Sequence, residues 1–127
     1  MNDSQCLTSI RLFLAAIWQL RRDDRRGRPD LVVPYDVRAF ARALGRDLGE
    51  GHPYAERFLI LGHPGNRTCP DFNRGMDLAR SAGLMHRCEG GFHVDMMQRT
   101  ILVSQRDVDY AAMTSIAAKY LEEVDIA

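Results

Sequence analysis

Five side chains able to bind a soft metal or attack an electrophile fall within one stretch of this chain: His63, Cys69, His86, Cys88 and His93. Thiolate and imidazole groups suit zinc, and structural zinc sites usually show short ligand pairs that a single turn brings together. No Cys-x-x-Cys or His-x-x-x-His pair is present. His86 and Cys88 lie two and four residues beyond Leu84. In a strand all three share one face, which is expected to be apolar and buried. The expectation is therefore no metal and no cofactor. Cys69 stands directly before Pro70 and reads as a structural thiol. A phosphate-cradling loop would need Lys-Ser/Thr after its glycines and a strand before them, and Gly62-His63-Pro64-Gly65 has neither. No Gly-x-Ser-x-Gly elbow occurs. The expected function is non-enzymatic.

The arginines offer a different chemistry. Sixteen of the 17 basic residues are Arg, with Lys119 the sole lysine. Arg forks match phosphate and carboxylate bidentately, although the Arg codon preference of a GC-rich bacterial genome explains the excess more simply. The 17 acidic residues cancel the basic ones to a net charge of zero. That argues against a general polyanion binder, whose affinity scales with the phosphates it neutralises. Charge is unevenly placed: Gly65 to Arg106 holds six Arg against four carboxylates, and Asp107 to Ala127 one Lys against five. The last segment is thus a poor surface for DNA. Arg21 to Arg28 carries five Arg and two Asp, a run that reads as a solvated helix end, with Arg25 and Arg26 as candidate phosphate contacts.

These residues need a scaffold. A length of 127 residues with 46% hydrophobic and 27% charged residues suits one self-sufficient globular domain. Three widely spaced cysteines imply no disulfide framework, so a reducing cytosol is expected. The start lacks the features of a signal peptide, and the longest apolar run, Leu12 to Trp18, is too short to span a membrane. A cytoplasmic protein without membrane contact is expected.

Apolar residues at helical period predict a first helix over Cys6 to Leu20, capped by Asp3 or Ser4. Leu31-Val32-Val33 is a short β-prone run before Pro34. Asp36 caps a second helix with Val37, Phe40, Ala41, Leu44 and Leu48 on one face. Pro53 to Leu61 reads as a short third helix stopped by Gly62-His63-Pro64-Gly65. Pro70-Asp71 opens a fourth, with Phe72, Met76 and Ala79 inward and Gly83 placed as its left-handed stop. Two short runs around Gly90-Gly91 predict a β-hairpin over Leu84 to Asp95, and Thr100 to Val103 could add a third strand. A fifth helix follows over 105–124, with Ser104 and Asp107 as a capping box. The fold class expected is α+β, mainly helical, with about five helices and a small sheet.

The passage from Leu78-Ala79-Arg80-Ser81-Ala82-Gly83-Leu84 through Arg87, Glu89-Gly90-Gly91 and His93 resembles the recognition-helix-to-wing passage of winged helix-turn-helix domains. The resemblance covers residues 31–48 and 71–95. It departs from the family in the 22 residues between Leu48 and Asp71, where a tight turn is usual. The resemblance implies a single winged-helix-like domain over 1–127 with a candidate nucleic-acid surface. Asn73, Arg74 and Arg80 would lie on the outward helix face, opposed by Asp77, and Arg87 and His93 on the wing. Arg and Asn suit guanine and adenine edges.

The last helix is the candidate partner surface. It is rich in small residues, and Tyr110, Met113, Ala117, Tyr120 and Leu121 would offer contact area to a protein partner or a second copy of the chain. The same stripe could instead pack on the first helix and complete the domain. Two functions stay open at this point: a small adaptor subunit of a larger bacterial complex, possibly one handling DNA, or a dimeric DNA-binding transcriptional regulator using 71–82 and the wing 84–95.

Overall fold

A computed structural model describes residues 1–23, 32–47, 56–63, 65–95 and 108–124. Helix α1 runs Asp3–Asp23. Its cap is neither Asp3 nor Ser4 but Asn2. The Gln5 N–H donates to Asn2 Oδ1 at 2.8 Å and the Asn2 N–H donates to Gln5 Oε1 at 3.0 Å. This reciprocal pair satisfies two donors that the first turn leaves open. Helix α2 spans Val37–Asp47. As expected, Asp36 caps it, with Oδ1 accepting from the N–H groups of Arg38 and Ala39 at 2.9 and 3.1 Å.

Of the predicted third helix over 53–61, residues 53–55 lie outside the described residues; Glu56 is helical, and the chain leaves helical geometry from Arg57 onward and enters a hairpin at Leu61. Strands β1, Leu61–His63, and β2, Asn66–Thr68, pair antiparallel. Two of the residues expected to stop a helix, Gly62 within β1 and Gly65 just before β2, take φ 99° and 89°. A side chain at Gly62 would bring its Cβ within 2.4 Å of the Asn66 carbonyl oxygen, so only glycine lets the two strands close.

Helix α3, Pro70–Ser81, opens on Pro70 at its first position and lays Phe72, Gly75, Met76 and Ala79 inward. Strands β3, Met85–Cys88, and β4, Gly91–Val94, form the second hairpin. Strand β4 has a further backbone partner besides β3. Val33 exchanges both backbone hydrogen bonds with Phe92 at 2.8 Å, so the run before α2 bridges the edge of β4. The segment 100–103 lies outside the described residues. Helix α4 is Val108–Val124, and residues 105–107 at its expected start lie outside them too. The described residues thus hold four helices and two small hairpins, an α+β architecture that is mainly helical. None of these helices is long and apolar enough to cross a membrane.

The core is built on Phe13. Its ring meets Phe40, Phe72 and Tyr120 edge-on at 5.3, 5.7 and 5.2 Å. Phe40 and Phe72 stack at 4.3 Å. Such aromatic pairs bury large area with defined geometry, and here they join α1, α2, α3 and α4 at one point. Helix α4 packs on α1 and α2. Ala112, Met113, Ile116, Ala117 and Tyr120 are buried against them. This corrects the partner-binding expectation at three positions. Met113, Ala117 and Tyr120 are each 0% exposed, because the apolar stripe that could have met a partner closes the chain's own core. Tyr110 and Leu121 are half-buried and pack at its margin. Tyr120 also has a polar duty. Its hydroxyl accepts from the Asp36 N–H at 2.9 Å and donates to the Pro34 carbonyl, pinning the entry to α2.

Candidate functional site

Where α3 stops decides where its outward face and the second hairpin point. Gly83 takes φ 78°. Its N–H donates to the Arg80 carbonyl at 3.1 Å and the Leu84 N–H to the Ala79 carbonyl at 3.0 Å. These two bonds make a Schellman stop, which ends a helix within one residue. Leu84 turns into the core and the chain leaves directly as β3. At the other end of the hairpin, Gly91 lies so close to Val33 that an added Cβ would sit 2.0 Å from the Val33 carbonyl oxygen. The hairpin is therefore held between the α3 stop and the strand before α2.

Tyr35 ties this face together, a role that its position in the sequence does not signal. Its hydroxyl donates to Asn73 Oδ1 at 2.7 Å, and the Arg87 guanidinium lies 4.0 Å over its ring. The ring also packs on Phe72 and Phe92. Burial pushes the phenol up to about 12, with Arg87 opposing and Asp77 reinforcing the shift. Tyr35 therefore stays protonated and donates at every physiological pH.

Of the residues expected to read DNA, Asn73 and Arg87 meet at Tyr35 and Arg74 is paired within the chain. Asn73 is half-buried and accepts from Tyr35. Arg74 is exposed and forks onto Asp3 of α1, Nε to Oδ1 at 3.0 Å and Nη2 to Oδ2 at 2.7 Å. The Arg74 hydrogen bond, aided by its charge, holds the Asp3 carboxyl below its ordinary range against an opposing effect of desolvation. Arg80 is exposed at the end of α3, with Asp77 also exposed on that helix. Arg87 stacks on Tyr35 with its side chain in solvent. Arg25 and Arg26 lie outside the described residues.

His93 joins a group that sequence spacing did not reveal. His86 and His93 are direct cross-strand partners, and their rings stack at 5.0 Å with a 25° tilt. Asp95 sits between them: His86 Nδ1 is 2.6 Å from Oδ2 and His93 Nδ1 3.0 Å from Oδ1. Burial pushes the Asp95 carboxyl up, but the hydrogen bonds and charge of both histidines outweigh it and leave the carboxyl below its ordinary value. The buried face expected for Leu84, His86 and Cys88 does not form. Leu84 is buried, His86 exposed and Cys88 half-buried, because the strand proper begins at Met85 and its outer side is open to solvent.

Two further features stand apart from the His86–His93–Asp95 group. Leu59 and Leu61 are 55% and 46% exposed, on the approach to β1 and in it. Asp71, in the first turn of α3, holds this approach by accepting from the Leu59 N–H at 3.0 Å. A groove of about 360 Å³ lies along the N-terminal half of α1, lined by Ser4, Thr8 and Ser9 of that helix and by Arg57 and Asp109. Among its described lining residues there is no His or Cys that could activate or serve as a nucleophile. Cys69, expected as a structural thiol, is buried, and burial pushes its thiol up to about 11. Set against protein-family models, curated proteins and solved structures, the chain has no match.

Proposed function

We propose that this chain is a non-enzymatic, winged-helix-like binding module that serves as a small adaptor subunit gripping a protein partner. Three structural details support the architecture: the Schellman stop after α3, the two-stranded hairpin that follows it, and the Val33–Phe92 bridge that adds the run before α2 to that hairpin. The 49–70 insertion, which contains β1 and β2, departs from the usual winged-helix plan and offers the partner two exposed leucines.

The observation that favours a protein over DNA is the pairing of Arg74 with Asp3. In a DNA reader the outward arginines of the recognition helix await phosphates or guanine edges. Here the arginine in the middle of that face is neutralised by the chain's own carboxylate. Asp77, Glu89 and Asp95 add further negative charge around Arg80 and Arg87. A partner surface of mixed charge with an apolar contact at Leu59 and Leu61 fits such a face better than a polyanion does. The buried stripe of α4 leaves little there for a partner, so the docking surface lies on the α3, β3–β4 and β1–β2 side.

The second reading, a dimeric DNA-binding regulator, draws on exposed Arg80 and Arg87 flanking the same hairpin. Duplex-binding measurements at low salt separate the two. The adaptor reading expects no shift of random duplex DNA at micromolar protein. A shift abolished in the folded Arg74→Ala/Arg80→Ala/Arg87→Ala variant overturns it in favour of the regulator. In the native host, the adaptor reading expects a defined protein to copurify with the tagged wild type and to be lost from Leu59→Glu/Leu61→Glu.

A further inference from the structure

We propose that the β3–β4 hairpin is a transition-metal site in which His86, His93 and Asp95 hold Zn²⁺ as three protein ligands and leave a fourth position open. Cross-strand register supplies what sequence spacing lacked. Residues directly opposite on an antiparallel pair bring their Cβ atoms to about 4.5–5.5 Å, closer than most side chains distant in sequence. His86 and His93 are such a pair, only seven positions apart around the Glu89-Gly90 turn. Asp95 follows His93 by two residues and so returns to the same face. Its position is fixed by its own N–H, which donates to the Leu84 carbonyl at 2.9 Å and carries the pairing past the end of β3.

The three groups converge rather than merely crowd. Both Nδ1 atoms face a single carboxylate, each against a different oxygen, and one ligand atom from each residue lies within 4.8 Å of the others. Two imidazole nitrogens and one carboxylate oxygen form a borderline donor set. It suits Zn²⁺ and its neighbours, whereas Ca²⁺ and Mg²⁺ prefer oxygen alone. On binding, the metal takes the place of the hydrogens now shared between each Nδ1 and the carboxylate, and each neutral imidazole carries its proton on Nε2. The histidines are partly exposed, His86 at 55% and His93 at 24% of their side chains, so an ion can enter from solvent and the fourth position is reachable by water or by a partner's side chain. Three protein ligands with an open fourth position are the pattern of non-structural zinc sites. This inference is independent of the partner reading above, since it rests on the hairpin alone.

The test is calorimetric titration of the full chain, in chelator-free buffer, with Zn²⁺ alone, paired with the visible spectrum of added Co²⁺. The expected result is one equivalent of Zn²⁺ and a Co²⁺ spectrum of low-coordinate type. Both should be lost in His86→Gln/His93→Gln and weakened at least about tenfold in Asp95→Asn. His63→Gln, on the other hairpin, should bind like the wild type. Circular dichroism and thermal melting show whether each variant is folded, and the wild-type titration stands on its own if one is not. An absence of Zn²⁺ heat and of a Co²⁺ spectrum in the wild type overturns the proposal and leaves the trio as a hydrogen-bonded clamp across the hairpin. Undiminished binding by the folded double variant or by Asp95→Asn overturns it equally, because the ion would then lie elsewhere or be held without the carboxylate.

Discussion

Tyr120 shows how one side chain can serve the core and the backbone together. Its ring lies against Phe13, and its hydroxyl satisfies both the Asp36 N–H and the Pro34 carbonyl. Tyr120→Phe keeps the ring and strands those two groups, which should cost about 1–3 kcal/mol by urea unfolding. A loss near zero would mean that water reaches the bend before α2. The cysteines make a second residue-scale prediction. Cys6 and Cys69 are buried, and burial raises both thiols, Cys6 with help from Asp71, whereas Cys88 is half-exposed on the hairpin. A thiol reagent at neutral pH should label Cys88 first in the native protein and reach the other two only on unfolding. Asp3 gives the sign of one pH effect. Its carboxyl is held low in the folded state by Arg74, so its contribution is present above the ordinary Asp range of about 4 and fades as pH falls through the lowered value. The melting temperatures of the wild type and Asp3→Asn should therefore differ at neutral pH and converge in acid.

At the scale of elements, two glycines in helices make a paired test. Gly75 is where α3 crosses α1: an added Cβ would sit 2.1 Å from Ile10 Cγ1 and 2.9 Å from the Cys6 carbonyl oxygen. Alanine is normally better than glycine in a helix by about 0.5–1 kcal/mol. Overpacking costs about 1–3 kcal/mol, and a backbone carbonyl cannot swing aside as a side chain can. Gly75→Ala should therefore destabilise. Gly45 in α2 has nothing within 4 Å of the added Cβ, so Gly45→Ala should stabilise by the propensity difference. Equal effects of both in thermal melts would show that the α1–α3 contact is looser than described. The elements themselves were legible unevenly. The faces of α1, α2 and α3 followed from apolar spacing, and the stop at Gly83 from a glycine followed by an apolar residue. The β1–β2 hairpin escapes a reading of the sequence, because each strand is only three residues long and its glycines read equally well as a helix stop. The bridge between Val33 and Phe92 joins positions far apart in the chain, a pairing that local spacing does not encode.

For the whole molecule, charge and burial decide which surfaces remain for function. The zero net charge is a property of the sequence, but its placement is not: Arg74 meets Asp3 across 71 positions, and Arg42 of α2 meets Glu123 of α4 at 3.0 Å. Such pairs leave an exposed face of mixed sign, which is the basis of the proposed adaptor role. By itself the sequence determined the helical faces, the second hairpin and the α+β class, because these rest on neighbours within a few residues and on local backbone preference. The tertiary structure alone decided that the stripe of α4 is core rather than interface, since an apolar face reads the same whichever surface covers it. It also decided that Tyr35 binds Asn73 and that His86, His93 and Asp95 converge, because register across a turn and packing between helices set distances that spacing along the chain does not encode.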